Sequence, residues 1–274
     1  VPFILRVAGI ILLTIALARP QLTNRWSSES TEGIDIMMAL DISGTMLAED
    51  LKPNRLEAAK QVASDFVLAR PNDQIGLVVF AGESFTQCPL TIDHAVLVNL
   101  FQSVEYGMIE DGTAIGLGLA NAVNRMKDSQ TKSKVVILLT DGSNNRGDID
   151  PQTAAEIAKT FGIRVYTVGV GSYGQTRVPV QTPIGTQYVT MDSEFDETTL
   201  QRIAQTTGGQ YFRATDNSSL KKIYEQIDQL EKTKLRVREY AKHTENFAPF
   251  LYAALLCLLG EILLRYFVLR TITQ

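Results

Sequence analysis

Three short stretches of this chain carry residues that could do chemistry together. The first, at 34–45, reads IDIMMALDISGT: an apolar run from Ile36 to Leu40 stops at Asp41-Ile42-Ser43-Gly44-Thr45. A carboxylate and two hydroxyls then sit at i, i+2 and i+4, with a glycine that lets the backbone turn between them. In a loop leaving a strand end, this spacing aims three oxygens at one centre, and such oxygens bind hard cations like Mg2+. The same residues can also form a turn whose side chains bond their own backbone. Alone, the stretch leaves both readings open.

The second stretch is Asp111-Gly112-Thr113, just before a helical pattern. The third is the apolar run VVILLT at 135–140, which ends in Asp141-Gly142. In a parallel sheet, the loops after the carboxyl ends of the strands share one edge, where ligands bind. Asp41, Ser43, Thr45, Thr113 and Asp141 are therefore predicted to converge. Two carboxylates and three neutral oxygens would neutralise a dication and leave a position for an incoming acidic group.

In this order the motifs resemble those of the von Willebrand factor A (VWA) domain family. Its metal-ion-dependent adhesion site (MIDAS) reads Asp-x-Ser-x-Ser, then a Thr, then an Asp usually followed by Gly. One departure, Thr45 for the second Ser, keeps the hydroxyl. The resemblance implies a Rossmann-like domain that is a metal-dependent binding module and no enzyme. A Glu or Asp of a partner protein would complete the shell of a Mg2+ ion, with Mn2+ or Ca2+ as alternatives.

The elements that must position these residues follow from hydrophobic periodicity. Strands are predicted at 36–40, 75–80, 134–140, 163–170 and 210–213, with a short hairpin partner at 84–87. Helices are predicted at 54–69, where Asn54 and Glu57 have capping-box spacing, after Asp93, and at 114–126, 151–161, 196–205 and 217–230. The alternation predicts an α/β fold with a doubly wound, mostly parallel sheet. An interruption at 172–193 carries a hairpin pattern around Thr182-Pro183-Ile184-Gly185 and is expected at or near the metal edge. It is either a tolerated surface insertion or a binding arm.

Of the 274 residues, 45% are apolar and 20% charged, and the apolar ones concentrate at both ends. The predicted organisation is a transmembrane helix at 1–19, a linker at 20–33, the VWA domain at 34–231, a charged stalk at 232–246 and a second transmembrane helix at 247–269, where Glu261 and Arg265 can pair. A start at Val1 without a clear cleavage site favours a spanning helix over a signal peptide, and an earlier piece of the protein is expected. The net charge of −4 gives no support to a nucleic-acid partner. Cys88 and Cys257 fall in different segments, so no intrachain disulfide is expected.

Ala18-Arg19-Pro20-Gln21, DISGTMLAEDLKPNRLEAAK at 41–60 and GGQYFRATD at 208–216 resemble the aerotolerance-related (Bat) branch of the family, over nearly the whole chain. That resemblance implies a bacterial inner-membrane protein whose domain faces the periplasm, working with other Bat-type membrane proteins and a MoxR-type AAA+ ATPase. The local charges point the other way. Arg19, Arg25, Lys232, Lys234, Arg236, Arg238 and Lys242 flank the domain side, which by the positive-inside rule would be cytoplasmic. The resemblance is followed.

Other chemistries fit less well. A Mg2+-dependent hydrolase of phosphatase type, with a cytoplasmic domain, is the alternative, because haloacid-dehalogenase-type phosphatases also begin with an Asp loop. Their acid/base Asp would fall at Ser43. No phosphate loop or serine-hydrolase elbow occurs. Gly169, Gly171 and Gly174 match G-x-G-x-x-G, but no helical pattern follows them. Arg146-Gly147-Asp148 is a tripeptide of negligible specificity, and His94 and His243 are read as ordinary surface residues.

Overall fold

A computed structural model of the chain describes residues 2–18, 33–131, 133–142, 144–172, 174–182, 185–192, 196–239 and 248–263. The chain divides into two compact units, Thr31–Lys232 and one formed by Val1–Ser30 with Thr233–Gln274.

The larger unit is built on β1 (Asp35–Asp41), β2 (Gln74–Phe80), β3 (Ser84–Thr91), β4 (Lys134–Thr140), β5 (Ile163–Val170) and β8 (Tyr211–Ala214). These form one sheet in the order β3-β2-β1-β4-β5-β8, with every pairing parallel except β2 with β3. The near-continuous apolar runs of β1 and β4 fit strands covered on both faces, and both are buried almost throughout. The covering helices are α2 (Arg55–Leu68), α3 (His94–Gln102), α4 (Ile115–Met126), α5 (Pro151–Thr160), α6 (Glu197–Thr207) and α7 (Asn217–Glu239). One apolar core gathers Met37, Val78, Phe80, Val136 and Leu138 of the strands with Leu119, Val123, Ala155 and Ile203 of the helices.

From β1 the chain passes through α2 to β2 on one side, while β4 lies on the other. The crevice between β1 and β4 is thus the switch point of a doubly wound sheet, where ligands bind beyond the carboxyl ends of the strands. The strand run ending at Asp41 and the one ending just before Asp141 are those two neighbours.

Two local details differ from the sequence reading. The expected capping box is half made: Asn54 Oδ1 accepts from the Glu57 amide at 2.8 Å, but Glu57 turns to Lys60 Nζ at 2.8 Å. Lys60 in turn donates to the Val104 carbonyl at 2.9 Å, so a tertiary contact claims the charge. The partner of β2 is longer than expected, reaching Thr91 as an edge strand with irregular register and Pro89 in it. The 172–193 interruption is β6 (Gln175–Thr182) and β7 (Gly185–Asp192), a separate antiparallel pair; two of its four expected turn residues, 183 and 184, lie outside the described residues.

At the opposite edge, Glu231 of α7 is buried and takes Tyr166 Oη at 2.5 Å, Arg164 Nε at 3.0 Å and Ser133 Oγ at 3.0 Å. Burial opposes its charge, but Arg164 and these hydrogen bonds outweigh burial and hold its carboxyl below the ordinary value. A depressed carboxylate contributes stability above its unfolded value of about 4.3 and loses it as pH falls through the lower folded value. Glu231→Gln should therefore destabilise the protein by about 3 kcal/mol at neutral pH. Urea unfolding checks this: the deficit should shrink as the medium is acidified below about pH 4.

In the smaller unit, α1 (Pro2–Leu17) and α8 (Ala248–Leu263) pack together. A Cβ at Gly9 would lie 3.2 Å from the Leu258 side chain, and Arg6 pairs with Glu261. Arg265, the expected partner of Glu261, lies outside the described residues, as do His243, residues 20–32 of the predicted linker and 240–246 of the predicted stalk. Among the described residues no helix is long and apolar enough to cross a membrane. Each of the two helices has 16 residues, about 24 Å against a hydrocarbon core of about 30 Å.

Candidate metal centre

Asp41 ends β1, and the next residues form a short 3-10 helix, Gly44–Leu47. The turn is tight because the Ser43 amide donates to Asp41 Oδ1 at 2.9 Å. Across the switch point, Thr140 at the end of β4 donates its hydroxyl to Asp41 Oδ2 at 2.6 Å. Ser43 Oγ lies 3.0 Å from Thr45 Oγ1, which donates to Asp141 Oδ1 at 2.7 Å. Ser43, Thr45 and Asp141 thus form one hydrogen-bonded chain of side-chain oxygens, and Asp41, the fourth of the five predicted residues, is tied to it through the Ser43 amide. Thr113 joins them from the loop before α4: its hydroxyl is 3.6 Å from where a Cβ at Gly142 would stand. Asp41, Ser43, Thr113 and Asp141 are all buried.

The loop carrying Thr113 is pinned by residues that the sequence reading passed over. Asn145 Oδ1 accepts from the Thr113 amide at 2.8 Å, and Asn144 Oδ1 accepts from the Ile115 amide at 2.8 Å, so the loop after Asp141 caps the start of α4. Asp111 Oδ1 accepts from the Gly44 amide at 2.9 Å, tying the first motif to the second. The Asn-Asn pair was the available signal, since such side chains satisfy nearby backbone. Arg146 of the Arg-Gly-Asp tripeptide pairs with Glu110 at 2.6 Å. His94, read as a surface residue, is partly buried, with Nε2 3.0 Å from the Asp73 carbonyl.

The largest omission is Arg55. It is 3% exposed, and its guanidinium forks onto Asp50, with Nε to Oδ1 and Nη2 to Oδ2 both at 2.7 Å, while Nη1 donates to Asp141 Oδ2 at 2.8 Å. Asp50 also accepts from the Ser172 amide at 2.7 Å. Gly171, at φ +138°, passes so close that a Cβ there would sit 2.6 Å from Arg55 Cζ. One signal was present: Arg55 is the first residue of α2, where the helix dipole disfavours a cation.

Burial and the neighbouring charge of Asp141 push Asp41 up to about 7, against the hydrogen bonds from Thr140 and Ser43. Burial also raises Asp141, against the pull of Arg55 and Thr45. For Asp50, burial opposes the charge, but Arg55 and Ser172 outweigh it and keep the carboxyl low. Two buried like charges with three hydroxyls form a donor set that fits a hard dication, which would favour both ionised forms. Among the described residues there is no cluster of three or more His, Cys, Asp or Glu able to hold a metal. A centre made of two carboxylates and hydroxyls is of another kind.

The β6–β7 hairpin stands beside this centre. The Glu49 amide donates to the Arg177 carbonyl at 3.3 Å, and Tyr188 Oη donates to Glu49 Oε1 at 3.3 Å. The expectation that the interruption lies near the metal edge holds.

A parallel sheet with this centre at its switch point defines an α/β domain of the VWA type. The chain belongs to the von Willebrand factor type A domain family, whose model matches residues 35–226. It is similar to the crystal structure of BatB from Bacteroides thetaiotaomicron, at 33% identity, covering 73% of this chain and 100% of that one, with a TM-score of 0.65. An aerotolerance-related membrane protein from Bacteroides fragilis is similar at 32% identity, covering 71% and 98%, with a TM-score of 0.62. Proximal thread matrix protein 1 of the mussel byssus, with a zinc-occupied MIDAS motif, is similar at 26% identity, covering 73% and 46%, with a TM-score of 0.55.

Proposed function

We propose that this chain is a membrane-anchored protein-binding module in which Asp41, Ser43, Thr45, Thr113 and Asp141 hold a divalent cation, Mg2+ in the first instance, that captures an acidic side chain of a partner protein. The observation that carries the reading is the hydrogen-bonded run of Ser43, Thr45 and Asp141 oxygens, tied to Asp41 through the Ser43 amide and with Thr113 near Gly142, at the sheet's switch point. The similar mussel protein with zinc in its MIDAS motif supports such a donor set as a dication site.

Three of the five residues are uncharged, so the bound cation keeps positive character toward an incoming carboxylate. The chain's own residues position and neutralise; neither histidine of the sequence lies in the motifs to serve as a base. The module therefore binds and does not catalyse. Its apolar ends, residues 1–19 and 247–269, anchor it in a bacterial inner membrane with the domain on the periplasmic side. The similar aerotolerance-related membrane protein supports the membrane setting. Partners are other Bat-type membrane proteins and a MoxR-type AAA+ ATPase system.

Thr113→Ala tests the reading, because its predicted task is ligation from a loop. In a pull-down with the full chain, chelator should release the partner from wild type. Thr113→Ala should recover about tenfold less partner with Mg2+ present, a loss on the order of 1.4 kcal/mol, with an unchanged circular dichroism spectrum. Equal recovery from both, regardless of chelator, would refute it.

A further inference from the structure

The metal centre and the β6–β7 hairpin share one guanidinium. Arg55 Nη1 donates to Asp141 Oδ2 at 2.8 Å, while Nε and Nη2 fork onto Asp50, both at 2.7 Å. Asp50 Oδ2 in turn accepts from the amide and the hydroxyl of Ser172, at 2.7 and 3.1 Å, just before β6 begins. The guanidinium also lies against the backbone there, since a Cβ at Gly171 would stand 2.6 Å from both Cζ and Nη2. Farther along, the hairpin is held by longer bonds, from the Glu49 amide to the Arg177 carbonyl and from Tyr188 Oη to Glu49 Oε1, both at 3.3 Å.

This arrangement sets Arg55 and Ser172 against each other. Asp50 Oδ2 takes three donors, namely Arg55 Nη2, the Ser172 amide and the Ser172 hydroxyl, where a carboxylate oxygen offers about two lone-pair sites. A closer hold of Arg55 on that oxygen therefore loosens the hold on Ser172. Asp141 decides how close that hold is. Once Asp141 shares its charge with a dication, it has less to offer Nη1, and the guanidinium is repelled by like charge in a place where screening is weak. Arg55 then leans on Asp50. Ser172 loses its acceptor, and Gly171, in contact with the guanidinium, must shift with it.

We infer, resting on the cation site proposed above, that Asp50 and Arg55 are positioning residues that couple cation binding to the seating of the hairpin. A loaded centre loosens the hairpin root. By linkage, a loosened root raises the cation affinity by the same factor. The interruption at 172–193 is then an arm that answers to the metal centre, and not a passive insertion.

Amide hydrogen exchange of the full chain in mild detergent, with Mg2+ or with chelator, tests this beside calorimetry of Mg2+ binding. In wild type, Mg2+ should speed exchange in a peptide spanning 172–182 about tenfold, within the usual range of coupling between sites, and leave β5 unchanged. Ser172→Ala takes one donor from Asp50 Oδ2 and should bind Mg2+ about fivefold more tightly. In Asp50→Asn, whose amide cannot draw the guanidinium away by charge, Mg2+ should still bind but alter exchange at 172–182 by less than about twofold. If Asp50→Asn does not fold, Ser172→Ala, which alters none of the five proposed ligands, decides in its place. Unchanged or slower exchange at 172–182 in wild type that binds Mg2+ would overturn the coupling and leave the cation site standing. Ser172→Ala that binds Mg2+ no more tightly than wild type, or Asp50→Asn that keeps the full Mg2+ effect, would overturn it equally. Wild type that binds no Mg2+ would remove the cation site and the coupling together.

Discussion

Asp41→Asn should weaken divalent-cation binding by about two orders of magnitude, on the order of 3 kcal/mol, and at the same time stabilise the chelated protein. The two effects have one cause. Asp41 is fully buried beside Asp141, and together they would carry charge that a bound dication would offset. Without the dication, burial and the neighbouring carboxylate hold Asp41 at about 7. Between the ordinary value of about 4 and that raised value, the folded protein binds a proton that the unfolded chain does not. Stability of the chelated wild type therefore falls as pH rises through that window. The amide that replaces the carboxylate does not ionise, so the variant should lack this slope and be about 2 kcal/mol more stable than chelated wild type at about pH 8. Added Mg2+ should stabilise wild type and leave the variant unchanged. Urea unfolding with chelator and with Mg2+, at the two ends of the window, reads both effects. A variant that binds Mg2+ as wild type does would remove Asp41 from the centre.

Arg55→Met should destabilise the protein by about 3 to 5 kcal/mol, the usual cost of breaking a buried ion pair from one side. For a domain of this size that is a fall in Tm of about 6 to 20 °C. The loss is large because one guanidinium serves two carboxylates, the partly buried Asp50 and the buried Asp141. Arg55→Lys should recover only part of it, since an ammonium cannot fork onto Asp50 while reaching Asp141. Removing Arg55 leaves Asp141 with its charge uncompensated, so Mg2+ should restore more stability to Arg55→Met than it adds to wild type. Thermal unfolding of wild type, Arg55→Met and Arg55→Met/Asp50→Asn, each with and without Mg2+, separates the terms. If the double variant is no more stable than the single one, the unpaired Asp50 is not the source of the cost.

The sequence by itself determined the architecture and the motif residues. Strand and helix types are local: apolar runs of strand length, helical stripes and caps at Asn54, Asp93, Asp150 and Asp196 are set by neighbouring residues, and each of those four side chains accepts a first-turn backbone amide. The motif residues were legible because each follows a strand end or precedes a helix, and parallel topology sends those points to one edge. Tertiary structure alone decided what holds them. Arg55 lies 86 positions from Asp141, and Asp111 lies 67 from Gly44; neither distance leaves a periodic trace in the chain. Thr140 reads in sequence as the end of an apolar strand, yet only the register of β4 against β1 sets its hydroxyl on Asp41. Glu57 shows the converse, where a local pattern promised a cap and a lysine held by a distant carbonyl took the charge instead. Local preferences are worth about 1 kcal/mol or less, whereas a buried charge left unpaired costs several. Wherever the two competed, the buried charge settled the geometry.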